Sequence, residues 1–249
     1  MVELQTNFGG GKTHSMLALY HLVSGVNYSD LPGVAEFFTD QGFSGVPKCR
    51  RAVLVGNNFS AAEVDKKSDG VEVRTLWGEM AWQLGGAETY ELLKESDLAG
   101  TSPGKELLVK VMEKNAPCLV LIDEWVALLR QLPDEGSLAA GTFGANITFA
   151  QSLTEAAKAV KGAFVIASLP VSSIEVGGTR GQQALNELSN VVKRVAKPWT
   201  PANSSEGFEI VRRRLFKNDM DYPARDAVSK AFSKMYKDQA SEFPSECRE

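Results

Sequence analysis

The stretch from Thr6 to His14 reads TNFGGGKTH and combines glycines, a lysine and a threonine hydroxyl in the order that phosphate-binding loops use. The usual pattern is a glycine, four free positions and then Gly-Lys-Ser/Thr, and here Thr6 stands where the first glycine belongs. Consecutive glycines let backbone N–H groups approach phosphate oxygens, while Lys12 adds a point charge and Thr13 a hydroxyl ligand for Mg²⁺. The segment predicted to bind phosphate is Asn7, Phe8, Gly9, Gly10, Gly11, Lys12, Thr13 and His14, the last with no role assigned to its side chain.

The residues after this segment are predicted to form a helix, which is the element that a phosphate-binding loop leads into. Apolar side chains recur there at spacings of three and four residues and would line one face, namely Met16, Leu19, Tyr20 and Val23. The same pattern fits a glycine linker followed by an amphipathic helix. This stretch alone does not separate the two interpretations.

A second stretch, from Cys118 to Trp125, reads CLVLIDEW and places two carboxylates directly after an apolar run. The run predicts a buried parallel strand, and a carboxylate at the end of such a strand holds Mg²⁺ in P-loop ATPases. We therefore assign Asp123 to the metal. Glu124, whose side chain leaves the backbone on the other side, is assigned to polarising an attacking water. The alternative is an acidic first turn of a helix. Taken together, the two stretches favour a site for ATP and Mg²⁺.

Strands alternate with helices along most of the chain, which is the pattern of a parallel sheet with helices on both faces. We predict an α/β core over residues 1–200 with about five strands. The first strand, Val2–Gln5, is unusually short for one that leads into a phosphate loop, which suggests an excised piece of a longer protein. Further strands are predicted at Arg51–Asn58, in the run before Asp123 and at Ala163–Ser168, and further helices at about 34–39, 74–84, 102–114 (with Pro103 in its first turn), 145–160 and 182–192.

From Ala202 onward the pattern changes to helices alone, and residues 201–249 are predicted to be the start of a helical lid. The first lid helix begins at a pair that resembles a capping box, Asn203 and Glu206. The last helix covers about residues 224–239. The side chains that the first lid helix is predicted to bury are Phe208, Val211 and Leu215.

Composition excludes several classes of protein. The chain has 249 residues with 27 basic and 31 acidic side chains, for a net charge of −4, so tight nonspecific DNA binding over its whole surface is disfavoured, although a local basic patch is not excluded. No apolar run has the length of a membrane span, and the glycine stretch leaves no room for a signal peptide, so we expect no membrane partner and a cytoplasmic location. The three cysteines lack the spacing of a metal site and are expected to be reduced.

The order of strand, glycine loop, helix, Asp-Glu strand, polar strand end and helical lid resembles the AAA+ ATPases. More narrowly, the stretches QTNFGGGKTHSMLALYHL, RTLWGEMAWQLGG, LVLIDEWVALLRQL and EIVRRRLF resemble the large bacterial and archaeal ATPases grouped as domain of unknown function 499, over essentially the whole chain. In that group the first loop glycine is commonly absent, so Thr6 fits the subfamily. The resemblance implies long proteins that continue past Glu249 and whose genes lie beside DNA methyltransferase and helicase genes in phage-defence or restriction-like neighbourhoods.

The resemblance to AAA+ proteins carries three further positions over to this chain. Ser168 would be the first sensor residue, Asn57 would hold Glu124 inactive until a partner binds, and Arg194 would be an arginine finger. The alternatives are a strand-end hydroxyl, a turn former and a surface or ion-paired arginine, respectively. No second-sensor arginine is identified, because Arg212-Arg213-Arg214 lies earlier on the lid than that residue should.

The sequence thus predicts an AAA+-like module that hydrolyses ATP, with Glu124, Ser168 and Arg194 in catalysis and Thr13 and Asp123 on Mg²⁺. We expect it to assemble with itself or with other subunits, and to meet DNA, if at all, through the full-length protein. Two other functions stay open. A nucleotide-gated switch or scaffold shares every motif, whereas a small-molecule phosphotransferase would have a substrate-binding base and an Arg-rich mobile lid in place of the two acids.

Overall fold

The computed structural model of the chain describes residues 1–6, 11–31, 33–42, 45–136, 138–170, 176–200, 204–215 and 221–242. The chain divides into two compact units, Met1–Pro201 and Ala202–Glu249. The first unit contains the β-sheet, and the described part of the second unit is helical.

The strands within the described residues are β1 (Val2–Thr6), β2 (Arg50–Val55), β3 (Asp65–Lys66), β4 (Glu72–Val73), β5 (Cys118–Asp123), β6 (Ala163–Pro170) and β7 (Lys197–Trp199). Five of them form one sheet in the order β2-β5-β6-β1-β7, and every neighbouring pair in it is parallel. β3 and β4 form a separate antiparallel pair. The predicted α/β fold, with a five-stranded parallel sheet flanked by helices, is confirmed.

Within the described residues the α-helices of the first unit are α1 (Lys12–Leu22), α2 (Val34–Asp40), α3 (Leu76–Tyr90), α4 (Lys94–Ala99), α5 (Lys105–Asn115), α6 (Trp125–Leu129), α7 (Phe143–Ala159) and α8 (Thr179–Val192). The second unit contains α9 (Ser204–Leu215) and α10 (Tyr222–Asp238). Each helix that the sequence predicts is present. One boundary is wrong: Pro103 precedes α5 and is not part of its first turn, because Gly104 caps that helix in an extended conformation.

The sheet separates two apolar clusters, because side chains alternate along each strand. From β5, Leu119 and Leu121 point to the side of α1, where they pack with Met16. Val120 and Ile122 belong to the cluster on the opposite side, to which α3, α5, α7 and α8 contribute. All six residues of β5 are buried, as the apolar run of a parallel strand covered on both faces requires.

The apolar face predicted for the first helix is confirmed. Met16 is 4% exposed, and Leu19, Tyr20 and Val23 pack around it. Because α1 follows β1 closely along the chain and lies on the sheet, its first residues stay at the edge where β1 ends.

The free side of edge strand β2 is occupied by a side chain of α3. The Gln83 side-chain oxygen accepts from the backbone N–H of Val53 at 2.7 Å, and its amide nitrogen donates to the Val53 carbonyl at 3.0 Å. The amide nitrogen also donates to Glu79 at 2.7 Å, which fixes the rotamer of Gln83. Gln83 therefore takes the place of a neighbouring strand at the midpoint of β2.

Four small elements are not predicted by the sequence patterns above, namely the β3–β4 hairpin, α4, α6 and β7. The hairpin is fastened to α3 through Trp82, whose indole N–H donates to Asp69 at 2.9 Å and whose ring lies 4.6 Å from the Lys67 ammonium. A sequence signal for the hairpin exists, since Asp69 and Gly70 form the kind of dipeptide that favours a tight turn, and Gly70 has a φ of 86°.

Helix α4 carries Asp97, a fully buried carboxylate. It accepts hydrogen bonds from the backbone N–H groups of Arg74 and Thr75, from the Thr75 hydroxyl and from the Tyr90 hydroxyl. Burial, and then the hydrogen bond to Asp97, raise the pKa of Tyr90. Asp97 thereby joins the start of α3 to its end.

The second unit differs from its prediction. Phe208, Val211 and Leu215 are 79%, 53% and 70% exposed, so the predicted burial of these side chains is wrong. The periodicity of α9 is real, but α10 has no buried residue, and two helices alone enclose little apolar surface. The predicted capping residue Asn203 lies outside the described residues.

Candidate functional site

The carboxyl ends of β1, β5 and β6 meet at one edge of the sheet, because these strands are parallel. Ile122 is in register with Ala167, and Leu4 with Ser168, so Asp123 at the end of β5 lies beside Ser168, which is two residues before the end of β6. Helix α1, which begins with Lys12 and Thr13, starts at the same edge. In open α/β sheets this edge is where ligands bind.

Asp123 accepts the hydrogen bonds that connect the elements at this edge. The Thr13 hydroxyl at the start of α1 donates to Asp123 Oδ2 at 2.8 Å, although the two residues are 110 positions apart. The Ser168 hydroxyl donates to Asp123 Oδ1, and the backbone N–H of Glu124 donates to the same oxygen at 3.1 Å. Asp123 is 8% exposed, so its carboxylate is held from three sides and still reaches solvent.

The start of α1 has the properties of an anion-binding terminus. Gly11 precedes the helix with a φ of 81°, and its carbonyl accepts the first helical hydrogen bond from the Ser15 N–H at 2.9 Å. None of the described side chains caps this terminus, and the first turn contains no acid. The helix dipole and the first-turn N–H groups therefore favour a negative ligand.

The predicted phosphate-binding segment is described only in part. Asn7, Phe8, Gly9 and Gly10 lie outside the described residues. Lys12 is the first residue of α1 and is half-buried, whereas Thr13 and His14 are exposed. The structure thus brings Thr13, Asp123 and Ser168 together in direct contact and places Lys12 next to Thr13.

Glu124 follows Asp123 at the same edge, and its residue is exposed. It has a φ of 52° and a ψ of 33°, the left-handed conformation, and its carbonyl accepts from the Ala127 N–H at 3.0 Å. Glu124 is therefore the N-cap of α6. Sequence reasoning assigns Glu124 a role but does not foresee this backbone conformation.

The structure places Arg194 elsewhere. It lies in the turn between α8 and β7, three residues before Lys197, which is in register with Val2 at the amino end of β1. Arg194 is exposed at the edge of the sheet opposite Asp123, so it does not belong to the cluster of its own chain. Asn57 is on the Asp123 side, in an exposed turn after β2, which ends at Val55.

The oxygen atoms of the cluster suit a hard cation. Mg²⁺ prefers carboxylate and hydroxyl oxygens and usually keeps waters or substrate phosphates among its ligands. Thr13 and Asp123 offer two such oxygens, 2.8 Å apart. Within the described ranges no three His, Cys, Asp or Glu side chains come together. The residues therefore fit Mg²⁺ shared with a phosphate, and they do not form an all-protein metal cage.

A cavity of about 430 Å³ opens beside this cluster, on the side of the sheet that α1 covers. Its walls are mainly apolar, with Thr13 and Asp123 at one end and Arg51 at the other. The remaining lining residues are Met16, Leu17, Tyr20, Val53, Val55, Gln83 and Leu121.

Comparison with protein families gives one match, since the model of the DUF499 N-terminal domain covers residues 46–201 of the chain. The chain belongs to the DUF499 family. The match includes Asp123, Glu124, Ser168 and Arg194, and the glycine segment lies before it. The resemblance read from the sequence is thus confirmed for the core of this DUF499 chain, and the stretches QTNFGGGKTHSMLALYHL and EIVRRRLF fall outside the match.

None of the curated proteins matches this DUF499 chain. Among its described helices there is none with the length and apolar character that crossing a membrane requires.

Proposed function

We propose that this chain is an AAA+-like P-loop module that binds ATP with Mg²⁺ and hydrolyses it. The observation that carries the proposal is the hydrogen bond of 2.8 Å between Thr13 and Asp123. In P-loop ATPases the hydroxyl that ends the glycine loop and the acid that ends a neighbouring strand hold the same metal ion. The two motifs are 110 positions apart in the sequence, and their direct contact supports a common site.

The burial of the acid supports the same interpretation. A carboxylate that only begins a helix would be solvated, whereas Asp123 is 8% exposed and accepts hydrogen bonds from Thr13, Ser168 and the Glu124 N–H. Such a network holds a carboxylate in one orientation. Because Ser168 and the N–H occupy Oδ1, Oδ2 and the Thr13 hydroxyl are the oxygens turned toward a ligand.

Each residue then has a stated task. The N–H groups at the start of α1 and the Lys12 ammonium bind the phosphates, and Thr13 with Asp123 would hold Mg²⁺. The metal would supply neutralisation of the charge that develops on the phosphate oxygens. Glu124 orients a water for attack on the terminal phosphate. Ser168 keeps Asp123 in place, and its predicted contact with the γ-phosphate or with that water is a further part of the proposal.

The larger setting of this activity rests on the family. We propose that the full-length protein uses the ATP cycle as a motor or switch in a DNA-associated phage-defence or restriction-like system, with copies of itself or other subunits as partners. The net charge of −4 does not favour DNA binding by the chain as a whole, so any DNA stimulation should come through the assembled protein.

The experiment is ATP hydrolysis by the full-length protein with Mg²⁺, with and without DNA, together with ATP binding by calorimetry. Lys12→Ala should abolish binding, because no compact cation replaces it on the phosphates. Lys105→Ala is the matched control, since Lys105 is likewise the first residue of a helix that follows a glycine, and this variant should bind ATP normally. Glu124→Gln should bind ATP and fail to hydrolyse it.

The outcomes separate the functions. Unchanged ATP affinity in Lys12→Ala would remove the phosphate-loop assignment. Tight binding without turnover in the wild-type protein, with or without DNA, would favour a nucleotide-gated switch or scaffold. Hydrolysis that DNA accelerates would favour a DNA-linked motor.

A further inference from the structure

The backbone of Glu124 adopts a conformation that its residue type disfavours. With a φ of 52°, it is the only residue other than glycine in the described ranges that has a positive φ. A side chain with a Cβ clashes with its own backbone in this region, and a long side chain gains nothing there to offset the clash. Such conformations persist where the surrounding structure imposes them, and they concentrate at functional sites.

The residue that imposes this conformation is Gly56, in the turn after β2. Its N–H donates to the Asp123 carbonyl at 2.9 Å, which fixes the peptide group before Glu124. On the other side, a Cβ built on Gly56 would lie 2.8 Å from the Glu124 carbonyl carbon and closer still to its oxygen. The backbone at Gly56 is thus in contact with both peptide groups that flank the Glu124 Cα.

Two contacts complete the constraint. The Glu124 N–H donates to Asp123 Oδ1 at 3.1 Å, and its carbonyl accepts from the Ala127 N–H at 3.0 Å. With both flanking peptide groups held, φ and ψ of Glu124 are determined, and so is the direction of its Cα–Cβ bond. Only glycine fits at position 56, because any Cβ would push the Glu124 carbonyl away.

We propose that Gly56 is a positioning residue for the water-orienting carboxylate: its close approach holds Glu124 in the left-handed conformation and thereby sets the direction of its Cα–Cβ bond. This inference rests on the proposed ATP hydrolysis. Gly56 has no part in the proposed binding of phosphate or metal and would act through Glu124.

A double-mutant cycle in the full-length protein tests it, with wild type, Gly56→Ala, Glu124→Gln and the double variant. Displacement of a catalytic group by about 1 Å costs on the order of 100-fold in rate, so Gly56→Ala should lower single-turnover ATP hydrolysis by about that factor. ATP affinity should stay within about twofold, because the start of α1 is untouched. In the Glu124→Gln background the same substitution should change the residual rate by less than about twofold, because the group that it displaces is already inactive. Gly144→Ala, at an exposed helix position with open space around it, is the control and should not slow hydrolysis.

A second measurement does not depend on activity. Asparagine tolerates the left-handed conformation better than glutamine, so Glu124→Asn should have a Tm about 2–4 °C above that of Glu124→Gln. If Gly56→Ala does not fold, this comparison still tests the left-handed conformation of residue 124 on which the proposal depends. Equal Tm values for the two variants, or the same loss of rate from Gly56→Ala in both backgrounds, would overturn the proposal. A wild-type protein that never hydrolyses ATP would instead overturn the proposed function, and the Tm comparison would still report on the conformation of residue 124.

Discussion

Asp123 and Asp97 are both buried aspartates that accept hydrogen bonds from hydroxyl and backbone N–H groups, yet only one of them reaches solvent. Asp97 is fully buried, and its partners come from the two ends of α3. Asp123 is 8% exposed and draws its partners from α1, β6 and the backbone at Glu124. Both carboxylates are therefore anchored, but only Asp123 remains partly open to solvent.

This difference in burial indicates which aspartate contributes mainly to folding stability and which is available for chemistry. A carboxylate enclosed by its donors contributes to the free energy of folding, because removing it leaves buried donors without partners. A carboxylate held from three sides at the end of a strand has one side left for a cation. We therefore expect substitutions at Asp97 to change stability and substitutions at the Asp123 edge to change catalysis.

The largest expected effect concerns whether the Asp123 cluster is complete within one chain. Arg194 lies at the opposite edge of the sheet, so it can serve only a neighbour's site, and an arginine finger is worth about 10³ to 10⁵ in rate. Full-length Lys12→Ala and Arg194→Ala should each be inactive. Mixed assemblies of the two should regain part of the ATPase activity, because one subunit supplies the arginine and its neighbour the nucleotide.

The control for this mixture is Lys193→Ala, which removes an exposed cation from the same turn and should remain active. A mixture that stays inactive while mixed oligomers demonstrably form would make Arg194 a structural arginine between the core and the second unit.

Next in size is Asp123→Asn, which keeps the shape of the side chain and removes its charge. The rate of Mg²⁺-dependent ATP hydrolysis should fall on the order of 10³-fold, because the metal loses its protein carboxylate. The free energy of unfolding should change by less than about 1 kcal/mol, since the amide still accepts from Thr13 or Ser168. Urea unfolding and ATPase assays on the same preparation measure both quantities. A large loss of stability with normal hydrolysis would show that Asp123, as is expected of Asp97, contributes to folding and not to catalysis.

Asp97→Asn should show the reverse. In either orientation its amide nitrogen would face the backbone N–H of Arg74, which cannot turn to accept as the Thr13 hydroxyl beside Asp123 can, so a buried donor is left unsatisfied at a cost of about 3 kcal/mol of unfolding free energy. ATP hydrolysis per folded molecule should equal that of the wild type. The comparison between the two aspartates fails if Asp97→Asn unfolds at the wild-type urea concentration.

The smallest expected effect is that of Tyr90→Phe, which deletes one hydrogen bond to Asp97 and should cost about 1 kcal/mol below pH 9. The pKa of Tyr90 is raised in the folded state above its ordinary value of 10.0, first by burial and then by Asp97. The unfolded chain therefore releases this proton at a lower pH than the folded chain does. Stability from Tyr90 is complete below that ordinary value and is lost as the pH rises above it. The difference in unfolding free energy between the wild type and Tyr90→Phe should be smaller at pH 11 than at pH 9. A difference that stays the same would contradict the assignment.

Much of the fold follows from short-range patterns in the sequence. The apolar runs before Gly56 and Asp123 indicate buried parallel strands, and parallel strands bring their carboxyl ends together, so the meeting of Thr13 with Asp123 follows from the strand pattern. The β3–β4 hairpin carries a usable signal in Asp69-Gly70. Helix α4, with six residues, is too short for periodicity to reveal.

The rest depends on contacts between distant parts of the chain. The left-handed conformation of Glu124 goes with its contact to Gly56, in the turn after a different strand, and no local propensity of glutamate indicates it. The exposure of Phe208 shows that a local pattern can be read correctly while its tertiary contacts are predicted wrongly. Periodicity identifies an apolar face on α9, but it does not say what that face packs against.

Both edges of the sheet are poor templates for another strand. β2 has its central backbone groups taken by Gln83, and β7 is three residues long with Pro198 at its centre, a residue that has no N–H to donate. Sheet extension between molecules, the growth mode of cross-β aggregates, therefore has no long open edge to start from in this part of the chain. Copies that associate in solution should meet through helices and loops, which leaves each sheet, and the carboxyl edge that carries Asp123, as a separate unit in the assembly.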